Sequence, residues 1–260
     1  MESMPEDLCP VCQGTGWKTI ERGGISAAEA CECRFEGRTE RLVERARIPP
    51  LYAGASFDNF ELPRDGREPA YHELAYVMTA VRQYTRDFAT LQRRGLLLIG
   101  NAGTGKTHLA VAALKALIAS YGVEGLFFDF NNLLDSIRAS YDAASGQSDR
   151  EAYRFALETE VLLLDDLGAH RVTDWVQDVV TSIITYRCNH QKPLIATTNL
   201  IDPAAGDSIV QRSAALPGVE YRKTLADHIG ERARSRLFEM CTVLRIRTAA
   251  DYRLKRSHAF

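Results

Sequence analysis

No apolar run in these 260 residues approaches the roughly 20 that a membrane-spanning helix needs. The N-terminus, Met1 to Asp7, is acidic and carries no apolar core, so a signal peptide is not expected. Charge of one sign is missing as well. Lys and Arg number 32 against 34 Asp and Glu, a formal net charge of −2. The chain is therefore no polycation, and any nucleic-acid contact has to come from a local basic face. Glycine (18) and proline (9) are too few and too scattered for a collagenous or low-complexity chain. Six cysteines in this length exclude a disulfide scaffold. The expectation is a soluble cytoplasmic protein with reduced thiols and no membrane contact, built as one α/β domain plus a small appendage.

The cysteines are unevenly placed. Cys9, Cys12, Cys31 and Cys33 crowd the first 33 residues, whereas Cys188 and Cys241 lie far downstream. Cys9-Pro-Val-Cys12 is a knuckle pattern, and Cys31-Glu-Cys33 supplies a second, tighter pair. Four thiolates from two turns can surround Zn²⁺ tetrahedrally at about 2.3 Å per bond. A structural metal would offset the small core of so short a segment by roughly 10 kcal/mol or more. Unconnected thiols and a redox CxxC are the alternatives, the latter without the strand that a thioredoxin-like motif follows. The expected organisation is a zinc-binding module over 1–48, a linker over 49–69 anchored by Phe57 and Phe60, and a larger domain over 70–260.

Leu74, Val77, Val81, Tyr84, Phe88 and Leu91 recur at helical steps before Gly95. The apolar run Leu96 to Ile99 then leads into Gly100-Asn101-Ala102-Gly103-Thr104-Gly105-Lys106-Thr107, which fits GxxxxGK[ST] at every fixed position. A strand before this loop and a helical pattern after it are the context the motif needs. Its glycines let successive N–H groups point at phosphate oxygens, and the helix N-terminus adds positive potential. Lys106 is placed for the β- and γ-phosphates and the Thr107 hydroxyl for Mg²⁺.

Further strands are expected at 125–130, 160–166, 193–199 and 242–246, separated by helical patterns. That alternation predicts a parallel sheet covered on both faces, with ligands at its C-terminal strand ends. Asp165, Asp166 and Asn199 fall at such ends. Asp165 is the expected Mg²⁺-side carboxylate. Asp166 sits where a base could polarise the attacking water, and Asn199 where an amide could orient it.

The runs Gly100-Asn-Ala-Gly-Thr-Gly-Lys-Thr-His108-Leu-Ala110, Leu163-Leu-Asp-Asp-Leu-Gly168, Thr197-Thr-Asn199 and Phe57-Asp-Asn-Phe60 together resemble AAA+ ATPases of the DnaC/DnaI helicase-loader and IstB branch. The resemblance covers about Ala53 to Arg253. It implies a five-stranded parallel sheet of order 5-1-4-3-2, ATP hydrolysis, homo-oligomeric action, a replicative helicase as partner and single-stranded DNA contact. By the same resemblance Lys106 is the Walker A lysine, Asp165 and Asp166 are the Walker B pair, and Asn199 is sensor 1. His108 belongs to the nucleotide-binding run. Gly230-Glu-Arg232-Ala-Arg234-Ser-Arg236-Leu237 resembles the segment with the arginine finger, Arg236 first and Arg232 second. Asp251-Tyr-Arg253 resembles sensor 2.

Leu225, Ile229, Ala233 and Leu237 form one apolar stripe at steps of four, which leaves Arg232 and Arg236 together on an exposed face. Ile201 to Arg222 reads as a flexible insertion. Only residues 247–260 follow Ile246, too few for a large helical lid, so the nucleotide pocket is expected to stay open until a neighbour covers it. Between Arg222 and Arg256 ten Lys/Arg stand against four acids, a patch suited to phosphate. Arg138 and Tyr141 are further candidates for single-strand contact, by phosphate and by base stacking. The competing expectations are an IstB-like transposition helper, a nucleoside kinase and an ATP-dependent switch whose hydrolysis is incidental.

Overall fold

A computed structural model describes residues 9, 11–13, 15, 17–22, 25–31, 37–63, 66, 68–92, 94–139, 148–205, 210–212 and 219–247. Cys33, Tyr141 and Arg253, and residues 206–209 and 213–218 of the expected insertion, lie outside them. No helix among the described residues is long and apolar enough to cross a membrane.

The chain opens with a hairpin that the sequence reading does not anticipate. Strands β1 (Trp17–Arg22) and β2 (Ile25–Ala30) pair antiparallel, Trp17 opposite Ala30. Helix α1 (Arg38–Arg45) follows and packs on the main domain, where the Ala46 carbonyl accepts the Phe127 N–H at 2.7 Å. Helix α2 (Pro69–Arg86) ends sooner than its apolar periodicity suggests. The Thr90 hydroxyl donates to the Asp87 carbonyl, and Phe88 reaches the core from a turn, still fully buried.

The nucleotide domain alternates from there: β3 (Gly95–Gly100), α3 (Lys106–Tyr121), β4 (Gly125–Asp129), α4 (Phe130–Ala139), α5 (Ser148–Glu158), β5 (Val161–Asp165), α6 (Asp174–Asn189) and β6 (Leu194–Thr198). A short antiparallel pair, β7 (Val210–Arg212) and β8 (Val219–Tyr221), stands where a flexible insertion is expected. Helices α7 (Leu225–Ile229) and α8 (Glu231–Met240) then lead to β9 (Cys241–Ile246). The five long strands lie in the order β4-β5-β6-β3-β9, every pair parallel. This is the expected 5-1-4-3-2 order.

Strand alternation sorts the core into two layers. Leu96, Leu98, Leu163 and Ile195 face α2 and α3, whereas Leu97, Ile99, Leu162, Leu164 and Ala196 face α4 to α8. Because both faces are covered, the strands read as continuous apolar runs rather than alternating ones. The stripe Leu225, Ile229, Ala233 and Leu237 is fully buried as expected, but not on one helix. Gly230, at φ 83° and ψ 150°, leaves the helical region and breaks the stripe into α7 and α8.

One cation ties the second layer together. Arg187 on α6 is fully buried, and its two terminal nitrogens donate to the carbonyls of Ala156, Leu157, Thr159, Glu160 and Pro193 at 2.7–3.2 Å. These carbonyls end α5 and precede β5 and β6; that of Pro193 also accepts the Leu162 N–H at 3.3 Å. Burial pulls the guanidinium down to about 9, so it stays charged at neutral pH. Replacing it with an apolar chain strands several buried acceptors, each worth about 1–3 kcal/mol. Arg187→Met is therefore expected to cost about 3 kcal/mol or more, read from urea unfolding; a loss below about 1 kcal/mol would refute this role.

Candidate nucleotide and metal sites

The loop between β3 and α3 curls around one carbonyl. Asn101 O accepts from the Thr104 hydroxyl at 2.9 Å and from Lys106 Nζ at 2.6 Å. Thr104, Lys106 and Thr107 are buried. Gly105 caps α3 at φ 89°, and a Cβ there would lie 2.6 Å from the Phe60 ring, so no other residue fits. No side chain caps this helix end, which leaves its N–H groups for an anion. His108 faces away from the loop: its Nε2 pairs with the Ser56 carbonyl at 2.8 Å and its ring meets Phe60 edge-on. Lys115 holds the same strap through the carbonyls of Ala53 and Ala55. His108 thus fixes the segment 53–60 against α3.

Asp165 ends β5 almost wholly buried. Its Oδ1 accepts from the Thr197 hydroxyl at 2.6 Å, and Thr107 also bonds to it. Burial pushes its carboxyl above the ordinary range, with Asp166 and Asp129 adding to the rise; the Thr197 and Thr107 bonds act the other way. Asp166 adopts a left-handed φ of 53°, which turns its carboxylate off the strand. That turn is held because the Asp166 N–H donates to Thr197 Oγ1 at 2.9 Å and Asn199 Nδ2 donates to Asp166 Oδ1 at 3.0 Å. Thr198 completes the lock through its hydroxyl, which donates to the Leu167 carbonyl at 2.8 Å.

The structure therefore gathers Asp165, Asp166 and Asn199 into one hydrogen-bonded cluster, with Thr107 of the phosphate loop bonded to it. Thr197 was missed as a functional residue. The signal was the pair Thr197-Thr198 in an otherwise apolar strand, where a hydroxyl needs a partner. Asp129 was missed too: it ends β4 in register with Asp165.

Arg232 and Arg236 are not part of this cluster. Both are exposed on α8, on the face of the sheet opposite α3. They line a groove of about 1050 Å³ between α8 and α6, together with Asp178, Tyr186 and His190. Arg236 Nη1 pairs with Glu239 at 2.7 Å, whereas Arg232 makes no ion pair among the described residues.

In the N-terminal segment the hairpin register returns Cys31 to the knuckle. Cys9, Cys12 and Cys31 place their sulfurs within 4.8 Å of one another, with Cys9 and Cys31 3.7 Å apart. Tetrahedral ligands at about 2.3 Å from one ion stand about 3.8 Å apart, so this is the spacing of a thiolate metal site. Gln13, at φ 51°, and the Gln13 N–H to Cys9 O bond of 2.8 Å form the knuckle turn.

Comparison with known proteins gives a consistent picture. Residues 81–258 match the family model described as IstB-like ATP binding protein. The phage-like element PBSX protein XkdC of Bacillus subtilis (strain 168) is 23% identical over 218 residues, 78% of each chain. The replicative helicase loader DnaC of Escherichia coli (strain K12) is 23% identical over 179 residues, 69% of each chain. The crystal structure of the DnaC helicase loader aligns with a TM-score of 0.59 at 31% identity, covering 76% of this chain and 99% of that one.

The raised Asp165 carboxyl has a measurable consequence. A carboxyl raised in the folded state contributes favourably in acid, and that contribution is lost as pH rises through the folded value. At pH 7 the buried charge is thus a cost that a neutral amide removes. Asp165→Asn is expected to raise the thermal midpoint of the metal- and nucleotide-free protein at pH 7. The difference should shrink as the pH falls towards 3.8. A lowered midpoint at pH 7 would count against the buried-charge reading.

Proposed function

This chain belongs to the family of IstB-like ATP-binding proteins, and from that premise we propose that it is an ATPase that loads a replicative helicase onto single-stranded DNA. The observation that carries the loader reading is the 31% identity to the DnaC helicase loader over 99% of that chain. The chemistry rests on the cluster at the strand ends. Lys106, held on Asn101 O, is the cation that would meet the phosphates that the loop N–H groups would cradle. The Thr107 hydroxyl and the Asp165 carboxylate are the groups that would hold Mg²⁺, which would neutralise phosphate charge. Asp166 accepts a proton from the attacking water, and Asn199, tied to Asp166, orients that water.

The arginine comes from elsewhere. Arg232 and Arg236 stand across the sheet from their own phosphate loop, so they serve a neighbouring subunit. A guanidinium at the γ-phosphate stabilises charge that develops in the transition state. Arg236 takes this role first, released from Glu239, with Arg232 second. Residues 247–260, which include Arg253, would add the sensor-2 arginine.

The single strand is assigned to a basic and aromatic surface. The Arg138 guanidinium lies 4.6 Å over the half-buried Trp175 ring, and Arg171, Arg222 and Lys223 are exposed. Stacked planes flanked by cations suit unpaired bases and their phosphates. The cysteine module is assigned zinc, completed by Cys33, and helicase docking. Val11 and Trp17 beside its thiols expose 65% and 52% of their surface, an apolar face for a protein partner. The family model also favours a second reading, an IstB-like transposition helper that engages a transposase and duplex DNA.

Two experiments test these assignments. In ATP, the protein is expected to capture a replicative helicase and place it on a single-stranded circle. Lys106→Ala should abolish this, and Arg236→Ala should spare ATP binding while removing the rise in turnover with protein concentration. Capture of transposase instead of helicase would favour the second reading. Separately, metal analysis of freshly reduced protein should find one zinc per chain, lost with Cys12→Ser; a metal-free wild type would remove zinc from the account.

A further inference from the structure

Three arginines crowd α8, and they do different things. Arg232 and Arg236 are exposed, but Arg234 is committed. Its Nε and Nη2 donate to Asp202 Oδ2 and Oδ1 at 2.6 and 2.7 Å, the two-pronged geometry that fixes a guanidinium plane. Asp202 is fully buried, and its Oδ1 also accepts the Ala204 N–H at 2.9 Å. The same guanidinium lies 4.8 Å over the Phe238 ring.

Asp202 stands three residues beyond Asn199 in the loop that follows β6. Other bonds join that region to the helices. The Leu225 N–H donates to the Ile201 carbonyl at 2.8 Å, and His228 Nδ1, which must carry the proton, donates to the Gly168 carbonyl at 2.7 Å. These bonds hold α7. Beyond Gly230 the chain turns, and α8 is held by the buried Ala233 and Leu237, by Arg94, which donates to the Glu239 carbonyl at 2.9 Å, and by the Arg234 pair. A buried carboxylate paired with an arginine adds little net stability over an apolar pair of the same shape. What it adds is direction.

We propose that the Asp202–Arg234 pair is a positioning device that aims Arg232 and Arg236 at the γ-phosphate bound by a neighbouring subunit. Arg234 acts through its neighbours and touches no nucleotide. The proposal rests on the reading that α8 completes an adjacent site. An arginine on a ten-residue helix is aimed only as well as the helix is held. A displacement of about 1 Å can cost about 100-fold in rate. Arg232 and Arg236 flank Arg234 at two residues on either side, so a fixed Arg234 plane sets the rotation of both.

Mixed oligomers separate the pair's role from the trans reading. A Lys106→Ala chain cannot use ATP but still presents α8, and an Arg236→Ala chain can use ATP but offers no Arg236. Mixing them is expected to restore turnover that neither has alone. Adding Asp202→Asn to the Lys106→Ala chain should cut the restored rate about 10- to 100-fold. Adding it to the Arg236→Ala chain should leave that rate within about twofold, which also shows that the variant folds. Arg234→Gln should repeat this asymmetry. If mixing restores nothing, the trans reading fails and the positioning role with it. If the Asp202→Asn donor restores full turnover, or the loss is the same whichever chain carries the substitution, the positioning role alone is overturned.

Discussion

The Thr197 hydroxyl donates to Asp165 and accepts from the Asp166 N–H, and the acidic end of the site is built around those two bonds. Asp165 sits in a low-dielectric strand end where an ionised carboxylate is costly unless something donates to it. Asp166 must leave the strand in a left-handed turn that an L-residue adopts only when its backbone is held. One side chain on the neighbouring strand meets both needs. It can do so because β5 and β6 pair in parallel and end together, which brings the Thr197-Thr198-Asn199 run beside the Asp165-Asp166-Leu167-Gly168 run. Gly168 closes the same turn at φ 86°, where a Cβ would meet the Leu200 side chain at 2.5 Å. Sheet register thus does the work that in another fold would fall to a loop.

The sheet also divides labour between its faces. The phosphate loop feeds α3 on one side, and the arginines stand on α8 on the other. Within one chain the phosphate loop and the α8 arginines thus belong to elements on opposite faces of the sheet. The proposed completion by a neighbouring copy follows from that separation. The tether from Asp202 to Arg234 starts near Asn199, so the loop that contacts the acidic cluster also holds α8.

The N-terminal module is stabilised on different terms. Its hairpin pairs Lys18 with Glu29 at 3.3 Å and leaves Trp17 half exposed, so apolar burial contributes little. Three thiols converge instead, and a metal would supply what the small core cannot. Helix α1 behaves differently from the hairpin: Ala46 at its end is fully buried against the main domain and bonds to β4.

Much of the site was readable residue by residue. The phosphate loop has four positions of strongly restricted type, Gly100, Gly105, Lys106 and Thr107, and they stand together in the sequence. The apolar runs ending in Asp165 and Asn199 marked strand ends because only a strand buried on both faces reads that way. Chain-local chemistry determined those features. The partners of Thr197, Arg187 and Arg234 lie 28 to 32 residues or more away for most of their bonds, and no periodicity encodes them. The break at Gly230 was equally hidden, since a stripe at steps of four looks the same on one helix or two. Strand pairing and layer packing decided which hydroxyl meets the carboxylate, which arginine is anchored and which are left exposed. Those outcomes depend on distances across the fold, and a linear pattern carries no such distances.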